Sequence, residues 1–330
     1  MRRRATLELM FALALCTRVP LARGQRTAKV PRVGFLYFGA HQPGPGAERY
    51  AAFVDGMREL GYVDGKNVVI EARFADSKAE RLPALVEELL RLKVDTIVAT
   101  ASPTYRVLQR MTTTVPIIVT VTADPVLEGV ATSVARPGGN FTGLSDTAAD
   151  LSLKQLELLK ANSPKLSRIG VLTNPDNVSH PAQTTRLMLA AQKLAIQIVL
   201  GEAGTVAQIE PGIAALARDG ANAVVLFGDT FFAQQTKQIA EAALKHRMPS
   251  VNILRQYAEA GGLISYGAPI VNNFRRAATY VDKILKGANP AEMPFEQPTK
   301  YELAINMKTA KALGLSISQE ILLRADHVFE

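Results

Sequence analysis

Tryptophan is absent from this 330-residue chain, aromatic residues make up only 6% of it, and cysteine occurs once, at Cys16. A lone cysteine excludes an intrachain disulfide, a cysteine-based metal cluster and paired-cysteine acid–base chemistry. Because 48% of the residues are hydrophobic, the core must be built mainly from Ala, Val, Leu and Ile. The length predicts about two domains.

The N-terminal segment has the pattern of an export signal. Three arginines at 2–4 precede an apolar run at 7–16, and Ala22 and Gly24 form a small-x-small cleavage site. The apolar run is shorter than the roughly 20 residues that a membrane-spanning helix needs. We therefore predict that residues 1–24 are a signal peptide, that Gln25 begins the mature chain, and that the protein is periplasmic.

Residues 13–16 resemble a lipobox, in which Cys16 would accept a lipid. Leu15 stands where that motif has a small residue, which argues against lipid anchoring. Removing the signal removes five arginines and one glutamate, so the net charge falls from +8 to +4. The remaining basic residues are interspersed with acidic ones, a pattern that favours a solvated surface over a nucleic-acid interface.

Short β-branched segments alternate with amphipathic ones, and the rhythm restarts after the turn-rich segment 136–140. This alternation predicts two consecutive sets of βαβ units, each with a parallel sheet. The predicted strands are 33–38, 68–70, 96–99 and 117–119, then 169–172, 196–200, 223–227 and 250–252. The predicted helices are 47–60, 82–92, 103–111, 151–161, 183–194, 207–217 and 231–245. A third segment, 262–287, is predicted to add one strand and one helix to one of the two sheets.

The predicted fold class is α/β, with two Rossmann-like lobes joined by a multi-stranded hinge. The first lobe is expected to comprise residues 29–144 and 262–297. The second is expected to comprise residues 145–261 and 298–330. A chain that visits each lobe more than once is suited to closing around a ligand.

Motifs for catalysis and cofactor binding are not supported by the sequence. The loop 39–46 contains Gly44 and Gly46, but Arg49 stands where a dinucleotide fingerprint has its third glycine. The four histidines form no pair at i+3 or i+4, so no zinc motif is present, and no G-x-S-x-G elbow occurs. We predict no cofactor, no metal site and no enzymatic activity.

Polar residues follow four of the predicted strands at their carboxyl ends, where open α/β sheets bind ligands. Ser102 and Thr104 open a helix and could bind a carboxylate, but an ordinary N-cap explains them equally well. Asp124 could accept from a ligand amine or simply form a turn before Pro125. Asn174 and Asp229 occupy matching loops in the second half, which together favours a cleft between the lobes.

Longer motifs resemble those of a known family. The DPV at 124–126 and ARPGGNFTG at 135–143 resemble the signature of the ABC-transporter substrate-binding family that includes tryptophan- and tyrosine-binding receptors. Further similar motifs cover nearly the whole mature chain. They are GMRELGY at 56–62, GGLISYG at 261–267, DKILKG at 282–287, QPTK at 297–300, NMKTAKALGL at 306–315 and RAD at 324–326.

The resemblance implies a type I periplasmic-binding-protein fold, no catalysis, and a permease and an ATPase as partners. It also implies polar strand-end loops around an aromatic pocket. The expected ligand-binding residues are Phe38, Ser102, Thr104, Asp124, Asn174, Asp229 and Tyr266. The expected ligand is an amino acid or a related small aromatic or carboxylate compound, captured by a monomer.

Two other classes of function stay open at this point. An extracytoplasmic sensor that feeds a signalling partner would have the same two lobes and the same export signal. An enzyme on this scaffold would need an activated nucleophile or a paired acid and base, and the strand-end loops supply neither.

Overall fold

The computed structural model describes residues 30–41, 44–145, 151–163 and 166–330. Within them lie a five-stranded and a seven-stranded sheet. The predicted export signal at 1–24 and the lipobox at 13–16 lie outside the described residues. Numbered in chain order, the strands are β1 Arg32–Tyr37, β2 Val69–Phe74, β3 Thr96–Ala99, β4 Ile117–Val119, β5 Phe141–Gly143, β6 Arg168–Thr173, β7 Gln197–Glu202, β8 Val224–Leu226, β9 Ser250–Asn252, β10 Ile264–Gly267, β11 Glu302–Asn306 and β12 His327–Phe329.

Twelve α-helices connect and cover these strands in the described part of the chain. They are α1 Pro45–Glu59, α2 Leu82–Arg91, α3 Ser102–Met111, α4 Leu151–Asn162, α5 His180–Lys193, α6 Val206–Arg218, α7 Thr230–Gln234, α8 Thr236–Lys245, α9 Arg255–Glu259, α10 Ile270–Leu285, α11 Met307–Leu313 and α12 Gln319–Leu323. The predicted helix 231–245 is therefore two helices. Strands β5, β11 and β12, each three to five residues long, were not predicted.

The two sheets repeat one topology. The first has the order β2-β1-β3-β4-β5, and the second contains the equivalent order β7-β6-β8-β9-β10, all paired in parallel. Strand β11 then adds antiparallel to β10, and β12 adds parallel to β11. In each sheet the second strand along the chain adds on one side of the first strand, and the third strand adds on its other side. This change of side opens a crevice at the carboxyl ends of β1 and β3, and of β6 and β8.

Strand β1 shows why the first sheet is buried on both faces. Val33, Phe35 and Tyr37 point to one side, where they pack with Phe53 of α1 and Phe274 of α10. Leu36 points to the other side and packs into the cluster formed with α2 and α3. This alternation follows from the two-residue period of a strand. The almost wholly apolar sequence of β1 is that of a strand covered on both faces.

Between the described elements, the chain passes from one lobe to the other three times. It passes from β5 to α4, from β10 to α10, and from the segment after Pro290–Glu292 to β11. Two of these crossings hydrogen-bond to each other. The Glu296 N–H donates to the Gly143 carbonyl at 2.9 Å, and the Ser145 N–H donates to the Glu296 carbonyl at 2.9 Å. These bonds give the hinge the character of a short two-stranded ribbon.

One element differs from the predicted lobe boundaries. Strand β10 was assigned with residues 262–297 to the first lobe, but it pairs with β9 in the second sheet, with Ile264 opposite Val251. The connection from β9 through the five-residue helix α9 is a short parallel crossover, and such a crossover keeps its two strands in one sheet. Only α10 and the segment from it to Glu296 return to the first lobe, where α10 packs along α1.

Candidate functional site

A cleft between the two lobes holds a cavity of about 230 Å³. Its walls come from the carboxyl ends of β1 and β3 on one side and of β6 and β8 on the other. These are the two crevices expected from the strand order. The polar or charged residues that line it include Arg49, Thr100, Ser102, Thr122, Glu128, Asn174, Asn177, Arg186 and Asp229. The apolar ones include Phe38, Phe227, Phe231, Ile253, Leu254, Ile270 and Phe274.

Asp229 is the central carboxylate of the second-lobe wall. One of its oxygens accepts from the side-chain amides of Asn174 at 3.2 Å and Asn177 at 2.8 Å. The other accepts from the Phe232 N–H at 2.9 Å and thereby caps α7. No Lys or Arg of the described residues lies within 4.0 Å of this carboxylate. The group is therefore held in place by neutral donors alone.

His180 lies behind this wall and holds Asn174 and Phe227 in position. Its Nδ1 accepts from the Asn174 N–H at 2.8 Å, and the ring packs edge-on against Phe227. Burial lowers the pKa of His180, and the neighbouring Asp229 carboxylate and Gly228 backbone oppose this effect only in part. The imidazole is therefore neutral at neutral pH. This state is required because a protonated ring would have no lone pair to accept from Asn174.

Glu128 provides a second carboxylate, on the first-lobe wall. It accepts from the hydroxyls of Ser102 at 3.0 Å and Thr122 at 2.9 Å. The Ser102 hydroxyl therefore already donates its hydrogen to a carboxylate of the protein. Ala101, just before α3, has a φ of 72°, a left-handed conformation that a residue with a Cβ rarely adopts. Strain of this kind is concentrated at ligand-binding and catalytic sites.

Arg49 is a buried cation in the same cavity, with only 6% of its surface exposed. It lies on the second turn of α1. The guanidinium Nη1 donates to the Tyr37 hydroxyl at 2.7 Å. Its Cζ lies 5.9 Å from the centre of the Tyr37 ring and 5.7 Å from that of Phe274. The sequence analysis did not select Arg49 as a binding residue, although one signal was present: Arg49 precedes Phe53 by four residues and so lies on the apolar face of α1.

Three polar contacts join the rims of the cleft. Arg186 of α5 forms an ion pair with Asp124 of the first lobe. Gln234 donates to the Ser77 hydroxyl at 2.8 Å, and Gln256 donates to Glu48 at 3.3 Å. Each contact pairs a residue of one lobe with a residue of the other. The structure is therefore a closed arrangement.

Asp124 combines this contact with a role in its own turn. Burial acts to raise the pKa of Asp124, but the Leu127 N–H, the Arg186 guanidinium and the Val126 N–H outweigh it and hold the pKa below its ordinary value. Both N–H groups donate to the same oxygen at 3.0 Å. The carboxylate is therefore ionised at neutral pH, as the ion pair requires.

The structure brings four of the seven predicted binding residues to the cavity. Phe38, Ser102, Asn174 and Asp229 line it. That these four residues bind a ligand is still a prediction.

The other three predicted residues do not line the cavity. Thr104 is fully buried inside the first lobe, because the third position of α3 faces the core. Asp124 lies at the rim of the cleft. Tyr266 lies on β10, where it stacks on Tyr301 with ring centres 5.8 Å apart.

Comparison with known proteins places this architecture in a family. The family model described as ABC transporter substrate binding protein matches residues 44–329. The chain belongs to the ABC transporter substrate-binding protein family. The resemblance inferred from the sequence motifs is thus confirmed. Members of this family are extracytoplasmic and bind small molecules, and substrate-binding proteins are not enzymes.

Individual relatives of this substrate-binding protein agree with that assignment. A tyrosine-binding protein of Clostridioides difficile is 26% identical over 264 residues, covering 80% of this chain and 75% of the relative. A conserved domain protein from Vibrio cholerae superposes with a TM-score of 0.85 at 26% identity, covering 91% of this chain and 100% of the other.

A third comparison is with an ABC domain from Streptococcus pneumoniae in complex with L-Trp. It superposes with a TM-score of 0.84 at 24% identity, over 91% of this chain and 99% of that one. The α/β fold with two open, mainly parallel sheets, predicted as that of type I periplasmic binding proteins, is confirmed.

Two further observations concern only the part of the chain that the structure describes. No helix there is both long and apolar enough to cross a membrane. No group of three or more His, Cys, Asp or Glu side chains there is placed to hold a metal ion.

Replacing either Asp124 by Asn or Arg186 by Gln is expected to shift the substrate-binding protein toward an open arrangement by about 1.4- to 5-fold. The estimate follows from the ~0.2–1 kcal/mol that a partly exposed ion pair contributes. Small-angle X-ray scattering would detect the shift as a larger radius of gyration.

The charge-swapped double variant, D124R with R186D, should restore the closed population. K154Q, which breaks an ion pair within α4, is the control, and unchanged scattering from both single variants would rule out this role.

The stability of the protein is expected to fall as the pH is lowered below 6.5, the ordinary pKa of His180. The pKa of the folded state lies below that of the unfolded state, so the unfolded chain takes up the proton first. The contribution of His180 is thus fully present above pH 6.5 and lost as the pH falls. Urea unfolding at several pH values should show a flatter dependence for H180Q than for the wild type or for H41Q, which changes an exposed histidine. Equal slopes for all three would contradict this account.

Proposed function

We propose that this protein is the extracytoplasmic receptor of an ABC importer, and that it binds an amino acid or a related small aromatic or carboxylate compound in the cleft between its lobes. The observation that carries the proposal is the cavity at the paired strand ends, with a negative Asp229 on one wall and aromatic side chains around it. The permease and ATPase of the importer would receive the ligand from a monomeric receptor.

Asp229 favours a ligand with a positively charged or hydrogen-bond-donating group. Three neutral donors orient the carboxylate but leave its charge uncompensated. A buried or half-buried charge is stabilised most effectively by an opposite charge that also donates hydrogen bonds. The ammonium group of an amino acid has both properties, with three N–H donors on a compact cation.

The apolar part of the cavity favours a ligand with a flat or aliphatic side chain. Phe38 and Phe274 come from the first lobe and the segment returning to it, and Phe227 and Phe231 come from the second. Aromatic rings pack well against other rings in offset or edge-on geometry. The tyrosine-binding relative and the L-Trp complex of the similar ABC domain support this choice of ligand class.

Closure of the hinge would complete the site. The lining residues are divided between the two walls, so a ligand that touches both walls would bind the closed form more tightly than the open form. Such a difference in affinity is what shifts a two-state equilibrium. The rim contacts of Asp124 and Ser77 would stabilise the closed form further.

The ligand class can be tested by a thermal-shift screen of amino acids, aromatic acids, sugars and small anions. A ligand at about 100 times its Kd adds ~2.7 kcal/mol of stability, which is expected to raise the Tm by roughly 5 °C. Because the chain contains no tryptophan, binding of L-Trp can be followed directly by the ligand's own indole fluorescence. Failure of every amino acid and carboxylate to stabilise the protein at millimolar concentration would overturn the proposal.

Replacing Asp229 by Asn is expected to weaken binding of an amino acid by about 10- to 150-fold, the range of a charge-assisted hydrogen bond of ~1.5–3 kcal/mol. Asn can still cap α7, so the fold should be retained. Isothermal titration calorimetry would measure the change. D176N, which alters an exposed acid at the same cavity, is the matched control. If both variants bind like the wild type, Asp229 does not contact the ligand's ammonium.

A further inference from the structure

Arg49 is a charged residue in the cleft for which the described residues provide no counter-ion. Its guanidinium is buried, and no carboxylate of the described residues lies within 4.0 Å of it. Two other arginines of the same lobe, Arg73 and Arg276, are paired with carboxylates. Arg73 donates to Glu88 at 2.8 Å, and Arg276 donates to Glu296 at 2.8 Å.

The contacts of Arg49 hold it in position but do not neutralise it. Among the described residues, one of its five N–H donors is accepted, by the Tyr37 hydroxyl. The faces of the Tyr37 and Phe274 rings lie within the range of cation–π attraction. A buried cation is costly to desolvate, and these contacts compensate only in part. The remaining donors are available to a group in the cavity.

The packing of α1 places this cation at the ligand-binding end of β1. Gly46, in the first turn of α1, lies so close to the preceding loop that a Cβ there would overlap the carbonyl oxygen of Ala40. The close approach brings the second turn of α1 beneath the end of β1. Arg49 therefore meets Tyr37, the last residue of that strand, at the crevice itself.

We propose that Arg49 is the counter-ion for an anionic group of the ligand, a carboxylate in the first instance, and that Tyr37 is a positioning residue for the guanidinium. This proposal rests on the proposed function. It further specifies that the ligand carries a negatively charged group. Arg49 and Asp229 belong to different lobes. A zwitterionic amino acid, with its carboxylate at Arg49 and its ammonium at Asp229, would join the lobes and neutralise both groups. A neutral sugar or a simple amine would leave Arg49 uncompensated.

The test compares R49M, R49K and Y37F with R58M, which removes an exposed arginine from the same helix. The probes are L-tyrosine, L-tyrosinamide and tyramine, and L-tryptophan and tryptamine, measured by calorimetry. The wild type and R58M should prefer the carboxylates by about 30- to 1000-fold, as for a buried charge pair. R49M should lose this preference, R49K should keep part of it, and Y37F should reduce it less than R49M does.

A second readout needs no ligand and separates this proposal from the function on which it rests. If Arg49 is the counter-ion of the ligand, R49M should leave the Tm of the ligand-free protein unchanged or raise it. The reason is that the substitution removes a buried, unpaired charge. If Arg49 instead only stabilises the folded state, R49M should lower the Tm of the ligand-free protein, and the proposal is overturned.

Three binding outcomes also overturn it. They are wild-type affinity in R49M, equal affinity of the wild type for tyrosine and tyramine, and a ligand screen in which only neutral or cationic compounds bind. If none of the probes binds the wild type, the proposed ligand class has failed, and the Tm comparison alone decides the role of Arg49.

Discussion

The parallel pairing of β1 with β3, and of β6 with β8, is the constraint on which the rest of the molecule depends. In each sheet the next strand along the chain, β2 or β7, lies on the opposite side, so the connecting loops diverge and leave a crevice at the carboxyl ends. The two crevices face one cavity. Arg49 lies on the helix that follows β1, and Asp229 lies in the loop between β8 and α7.

A cleft built in this way contains charges that no ion pair among the described residues balances. Asp229 is held by amide and backbone donors, and Arg49 by a phenol and two rings. Neither set of contacts is an ion pair. The strained backbone at Ala101 lies at the same place. Such features lower the stability of the empty protein and increase the gain when a complementary ligand enters, a balance typical of binding sites.

The hinge connects the two lobes whose strand ends carry these groups. Three chain crossings, two of them hydrogen-bonded through Glu296, restrict how the lobes can separate. Helix α10 belongs to the first lobe by its packing on α1, although β10 before it belongs to the second sheet. A ligand that contacts both walls would therefore change the conformation of only these few connecting segments. The rim pair of Asp124 and Arg186 adds a modest contribution to closure.

The sequence by itself determined the class of the fold, the repeat of the βα rhythm and the family, because periodicity and turn residues are local properties and the motifs are long. It also placed Phe38, Ser102, Asn174 and Asp229 at strand ends, and the tertiary structure puts all four at the cavity. Only the tertiary structure decided that β10 joins the second sheet, since strand pairing depends on partners far along the chain. It alone placed Tyr266 against Tyr301 and Thr104 in the core. It alone revealed Arg49, because a cation without a counter-ion is recognised only when everything packed around it is known.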